Sequence, residues 1–167
     1  MKEQEIINAV TSVMEQLKTQ ETPPARRSGR MTLALAEALI ARVKEKAAQM
    51  GVRAVVAVSD ASARPVAVHC MDDAYIASFD IALNKTYTSA SLKMSTSKLG
   101  ELSQPGQPLY GVQFTNGGRI VIFGGGEVLE SGGAVVGALG VSGGTAQEDT
   151  ALAAYGRSIF EEVAACL

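Results

Sequence analysis

Apolar residues near the start of the chain recur at one-turn spacings. Ile6, Val10, Val13, Met14 and Leu17 share one helical face, widened by Ile7, and predict a short amphipathic helix over residues 1–18. Thr19 to Arg30 reads TQETPPARRSGR, with a Pro23-Pro24 pair, three arginines and almost no apolar residue, the composition of a linker. The pattern divides the chain into a tethered helix (1–18), a linker (19–30) and a main domain (31–167). An ordinary surface helix folded back on the domain is the alternative reading of the first segment.

Within the main domain, Thr32 is placed to cap a helix whose face carries Leu33, Leu35, Ala36, Leu39, Ile40 and Val43, with Gly51 as its stop. Arg53 to Ser59 is β-branched and apolar, the polar DASAR turn follows, and Pro65 to Met71 reads as a hairpin partner. Helical pattern returns from Ala74 to Lys93 and again from Ser95 to Leu102, before the loop SQPGQPLYG. Fourteen of the 17 glycines fall between Gly100 and Gly144, so tight glycine turns join the elements of the second half. Arg119 to Phe123 and Ala134 to Val141 read as strands there, Gln113 to Thr115 as a short further one and Glu127 to Leu129 as an extension of the sheet. Thr145 to Ala165 closes the chain as a helix. The order predicts an α+β domain with a mainly antiparallel, five-stranded sheet flanked by helices, without the strand and helix alternation of a doubly wound fold.

A chain of 167 residues buries roughly two thirds of its unfolded surface, enough for one compact core. No stretch approaches the ~18 unbroken apolar residues of a membrane span. Fifteen basic against 17 acidic residues leave a net charge of −2, which disfavours nucleic acid and anionic lipid as partners. Cys70 and Cys166 stand far apart, and the N-terminus lacks the pattern of a secretory signal, so free thiols and a cytoplasmic location are expected. One histidine and two distant cysteines do not make a closed zinc site, and no metal is expected.

The glycine runs are no Walker or dinucleotide fingerprint: Gly124-Gly125-Gly126 precedes neither lysine nor helix, and Gly137, Gly140 and Gly143 fall largely inside a strand. Ser142, Gly143 and Gly144 join the last strand to the last helix, where free backbone donors could hold an anion. Glu148 and Asp149 suit the helix dipole and repel that anion, so a plain turn and cap is the stronger reading. His69 is the one side chain whose ordinary pKa suits proton transfer near neutrality, or else it is a sheet residue beside the soft atoms of Cys70 and Met71. Asp72 and Asp73 precede a helix as caps or as polar groups of a site. Asp80, Asn84 and Lys85 interrupt the middle helix and point to a polar pocket or a subunit contact. Gln104 and Tyr110 offer an amide and a phenol on a rigid loop, followed by the Asn116-Gly117-Gly118 turn.

The segments MDDAYIASFDIALNKTYTSA, LGELSQPGQPLYGVQFTNGGRIVIFGGG and GAVVGALGVSGGTAQED together resemble the GlcG/HbpS family, which includes the C-terminal domain of PduO-type cobalamin adenosyltransferases. The resemblance covers Met31 to Leu167 and implies a profilin-like α/β/α sandwich that assembles into symmetric homo-oligomers, often octamers, with several members binding haem. Asp72 matches the acid of the family's Met-Asp-Gly-Ala motif, with Asp73 in place of its glycine. Lys85, Gln104, Pro105, Tyr110, Gly111, Asn116, Gly117, Gly118, Gly140, Ser142, Gly143 and Gly144 match positions that the family usually keeps. Haem-binding relatives can use histidine as an axial ligand, and the helix from Thr32 to Met50 has none; His69 lies outside the family motifs, and Tyr110, Met71 or no protein ligand are the alternatives. The resemblance does not extend to the adenosyltransferase domain, and cobalamin adenosylation is not expected.

The N-terminal segment is similar to the encapsulation peptides that deliver proteins into bacterial microcompartments, with Ile6, Val10, Val13, Met14 and Leu17 as its docking anchors. The combined expectation is an oligomeric haem-, tetrapyrrole- or small-ligand-binding protein, associated with a microcompartment of propanediol- or ethanolamine-type metabolism. An enzyme acting on haem or a cofactor-related metabolite through His69, Lys85 or Tyr110, and a purely structural oligomeric scaffold, are the alternatives.

Overall fold

The computed structural model describes residues 29–167, so the apolar stripe of the tail and most of the linker lie outside it. Its elements are α1 (Leu33–Gln49), β1 (Val55–Asp60), β2 (Pro65–Cys70), α2 (Ser78–Leu92), α3 (Thr96–Leu102), β3 (Gly126–Ser131), β4 (Ala134–Ser142) and α4 (Ala146–Ala165). The strands form one antiparallel sheet in the order β2-β1-β4-β3.

Local chemistry accounts for the boundaries. Thr32 caps α1 by accepting a hydrogen bond from the Leu35 amide, and Gly51 follows its last turn at φ 72°. The β1–β2 connection closes on Asp60, whose Oδ1 accepts from the amides of Ser62 (2.8 Å) and Arg64 (3.0 Å). Between β3 and β4, Gly132 and Gly133 take φ of 59° and 79°, the pair of positive values that a two-residue hairpin turn demands.

The core lies mainly on one face of the sheet. There Leu39, Ile40 and Val43 of α1 meet Leu152, Phe160 and Val163 of α4 over Val56, Val58, Leu139 and Val141. The other face is covered by α2, where Ala82 packs on Val55 and Ala57. β1, buried on both faces, is accordingly apolar from Val55 to Val58, while the edge strand β2 is half-exposed. Ala57, Gly140 and Gly126 lie side by side across three strands beneath α2. A Cβ at Gly140 would collide with the Ala82 carbonyl, so this row of small residues is what lets the helix backbone settle on the sheet.

The expected five-stranded, profilin-like sandwich is corrected to an α+β fold with a four-stranded antiparallel sheet flanked by helices. Arg119 to Phe123 is not a strand. Ile120 and Val121 are buried, but the Val121 amide donates to Thr88 Oγ1 of α2 at 3.0 Å, so the segment bonds to a helix side chain and joins no ladder. Gln113 to Thr115 falls in and after a single 3-10 turn, Val112–Phe114, and Asn116–Gly118 forms a second. Glu127 to Leu129 belongs to a full edge strand, β3. α2 begins at Ser78, four residues later than the pattern suggests, because Ala74 to Ala77 form turns in which Ser78 N–H bonds the Tyr75 carbonyl.

Candidate functional site

Along α2, Lys85 points into the protein and is fully buried. Its ammonium donates to the Val141 carbonyl at 2.7 Å and to Asp149 Oδ2 at 2.8 Å, and it lies 4.9 Å from the centre of the Phe123 ring. Asp149, in the first turn of α4, uses its other oxygen to accept from the Gly144 amide at 2.9 Å. Gly125, at φ 110°, closes the centre from outside, since a Cβ there would stand 2.6 Å from both Lys85 Nζ and the Val141 oxygen. Burial pushes the Lys85 pKa down, and the hydrogen bond and charge of Asp149 oppose that shift. Beside this centre the buried Ser142 and Ser78 hydroxyls are 3.1 Å apart.

Gly143 and Gly144 line a cleft of about 560 Å³ together with Arg53, Asp73, Tyr75, Thr145 and Glu148. Arg53 and Asp73 form an exposed ion pair across it, and Asp72 is exposed next in sequence. The donors at the start of α4 are already engaged. Glu148 Oε2 accepts from the Thr145 amide (2.8 Å) and hydroxyl (2.9 Å), and the Glu148 amide returns a bond to Thr145 Oγ1. These bonds hold the Glu148 carboxyl below the usual carboxylate range. The chain's own carboxylates thus occupy the place an anion would take, and turn and cap chemistry accounts for the glycines.

A third group gathers on the outer side of α2. Arg119 lies 3.7 Å over the Tyr87 ring and directs Nε to Asn84 Oδ1 at 3.4 Å, while Asn116 Nδ2 donates to the Tyr87 hydroxyl at 3.0 Å. Gly117 and Gly118, at φ 67° and 78°, turn the chain beneath this stack. Gln104 spends its amide on the Gly100 carbonyl, and Tyr110 stands 66% exposed on the loop between. His69 is apart from all of these: on β2, its Nδ1 is 3.2 Å from Lys44 Nζ of α1. Met71 turns its sulfur toward the Ala54 amide.

The candidate residues therefore fall into a sealed ionic centre, a strand-end cleft and a surface polar stack, with His69, Gln104 and Tyr110 outside all three. Sequence reasoning missed Tyr87 and Arg119 altogether and read Asp149 only as a dipole partner. Tyr87 follows Asn84 at i+3 on one helix face, a signal that was available. Asp149 lies 64 positions from Lys85, and no local pattern links them. Around the loops, Tyr75, Ile76, Phe79, Tyr110, Phe114 and Phe123 are exposed, Ile76 to 95% and Phe114 to 82%. No described helix is long and apolar enough to cross a membrane.

Fold and site define a small α+β module whose lysine is spent on its own architecture and whose accessible chemistry lies on loops. The chain belongs to the family described as haem degrading protein HbpS-like, whose model matches residues 31–158. A 15.0 kDa protein from the dhaT-dhaS intergenic region of Citrobacter freundii is 43% identical over 133 residues, 80% of this chain and 94% of that protein. The corrinoid adenosyltransferase PduO of Salmonella typhimurium is 37% identical over 109 residues; these are 65% of this chain but 32% of that enzyme. The solved structure of a PduOC:haem complex superimposes with a TM-score of 0.74 at 32% identity, covering 77% of this chain and 94% of that one.

Proposed function

We propose that this protein binds haem or a related tetrapyrrole as a homo-oligomer, an octamer on the family resemblance, inside a bacterial microcompartment of propanediol- or ethanolamine-type metabolism in the cytoplasm. The observation that carries the reading is the similarity to PduOC, solved with haem, over nearly the whole of that chain.

The residues present suit such a group. Iron in haem takes His, Cys, Met or Tyr from a protein. Tyr75 and Tyr110 are exposed phenols on the site loops, Tyr110 on the one that also carries Phe114, whereas the Met71 sulfur faces the Ala54 amide and His69 Nδ1 faces the Lys44 ammonium. Phe114, largely exposed on the same loop, offers an apolar surface to a flat macrocycle, and Arg119 offers a cation to its propionates. When bound, haem supplies an electrophilic iron; the chain supplies the phenol, the apolar wall and the counter-charge. Binding ranks above catalysis because the Lys85 ammonium is sealed from any substrate.

Haemin added to the purified full chain is expected to give a saturable, stoichiometric Soret shift that Tyr110→Phe weakens and His69→Ala leaves in place. A Soret band unchanged by haemin sinks the reading, and loss of binding in His69→Ala alone reassigns the ligand. The tail carries the location: its stripe suits helix-in-groove docking on a shell or cargo protein. Deleting Met1 to Gln20 is expected to end co-purification with shell proteins while leaving the subunit count from light scattering unchanged. Dissociation of the oligomer on deletion would place the tail in the subunit interface instead.

A further inference from the structure

The described chain starts in a groove. Gly29 and Arg30 line a cavity of about 500 Å³ whose other walls are Leu35 of α1, Val136 of β4, and Phe160, Ala164 and Leu167 at the end of the chain. Gly29 lies so near the hairpin that a Cβ there would come within 2.6 Å of Val136 Cγ1. The polypeptide thus leaves the domain along an apolar wall, with 28 residues before it. Those residues carry the apolar stripe Ile6, Val10, Val13, Met14 and Leu17.

We propose that this groove is the seat of the chain's own N-terminal helix, held by Ile6, Val10, Val13, Met14 and Leu17. Reach permits it. The segment between Leu17 and Gly29 has 11 residues and spans at most about 35–40 Å when extended, more than enough to turn back across a wall that begins at Gly29. Charge favours it as well. The end of α4 presents Glu161 in the groove wall with no basic residue in the last turn, at the negative end of the helix dipole, while Glu162 pairs with Arg42 at 3.7 Å. Arg30 lines the groove, and Arg26 and Arg27 precede it in the sequence. The stripe would then have two alternative seats, this groove and any external partner, and the domain would compete with that partner for the tail. The proposal stands whichever partner, or none, takes the tail outside.

The chain contains no tryptophan, so Leu167→Trp places a single reporter in the groove wall. In the purified full chain its emission is expected to be blue-shifted and shielded from acrylamide. Adding Val10→Glu and Val13→Glu, which alter the stripe and leave the groove intact, is expected to shift it to the red and raise quenching. The native Cys166 thiol, exposed beside Ala165 and Leu167, gives a second reading without any change in the groove. In a Cys70→Ser background it is expected to react with a thiol reagent more slowly in the unaltered tail than in the Glu variant. Equal emission and equal thiol rates in the two tails overturn the proposal. Emission that changes on dilution overturns it too, by placing the tail of a second copy in the groove. Neither readout involves haemin or a shell protein, so failure here is separate from failure of the functional reading.

Discussion

Asp149→Ala will destabilise the domain by about 3–5 kcal/mol, the range for removing one partner from a buried ion pair, and chemical denaturation will show it as an early midpoint. The carboxylate has two duties, accepting from Lys85 Nζ with one oxygen and from the Gly144 amide with the other. Without it a fully buried ammonium keeps the Val141 carbonyl as its sole hydrogen-bond acceptor. The pH dependence has a definite sign. Burial already lowers the Lys85 pKa, and the variant lacks the interactions with Asp149 that oppose this shift. The folded variant then releases its proton at a pH where the unfolded chain still binds one. Its stability is therefore expected to rise with pH, from Lys85's depressed folded value up to the ordinary lysine range, narrowing the gap to the parent protein. A gap that stays constant from neutral to alkaline pH would mean that Lys85 is not what the loss of Asp149 exposes.

Gly140→Val is expected to cost about 3 kcal/mol or more, the upper end for overpacking, because the new side chain meets backbone that cannot rotate away. The Ala82 carbonyl and Thr86 lie directly over Gly140. α2 would have to lift from the sheet, and Lys85, carried on that helix, would lift with it. Valine at Gly133 is the matched control, with open space around it and a positive φ, and is expected to cost less through turn strain alone. Thermal unfolding of the two variants side by side checks the order, and equal losses would remove the small-residue row as the reason for glycine at 140.

These two centres also mark where the sequence could and could not be read. The cap at Thr32, the turn at Asp60 and the β1–β2 pair were legible because each depends on residues within a few positions. Arg119 to Phe123 was misread for a physical reason. A β-branched run between glycine turns looks the same whether its amides join a neighbouring strand or, like Val121, a helix hydroxyl. Gly137, Gly140 and Gly143 could be dismissed as a nucleotide fingerprint because they fall largely inside a strand pattern. The reason for Gly140 appears only when Ala57 and Gly126 are set beside it and α2 is laid on top. The candidate residues read from family motifs proved to be scattered, since a motif records which positions matter without stating which of them meet. Tyr87 and Arg119, absent from that reading, hold Asn116 and Asn84 together.

The Lys85–Asp149 pair belongs to helices on opposite faces of the sheet, and it meets at the backbone of β4. In a layered domain each helix could in principle peel away by itself, exposing only its own side of the sheet. Here α2 cannot leave without stranding a carboxylate in the layer behind it, nor α4 without stranding an ammonium. Amides of both helices should accordingly exchange with solvent through one shared opening event, with a single free energy and a single response to denaturant.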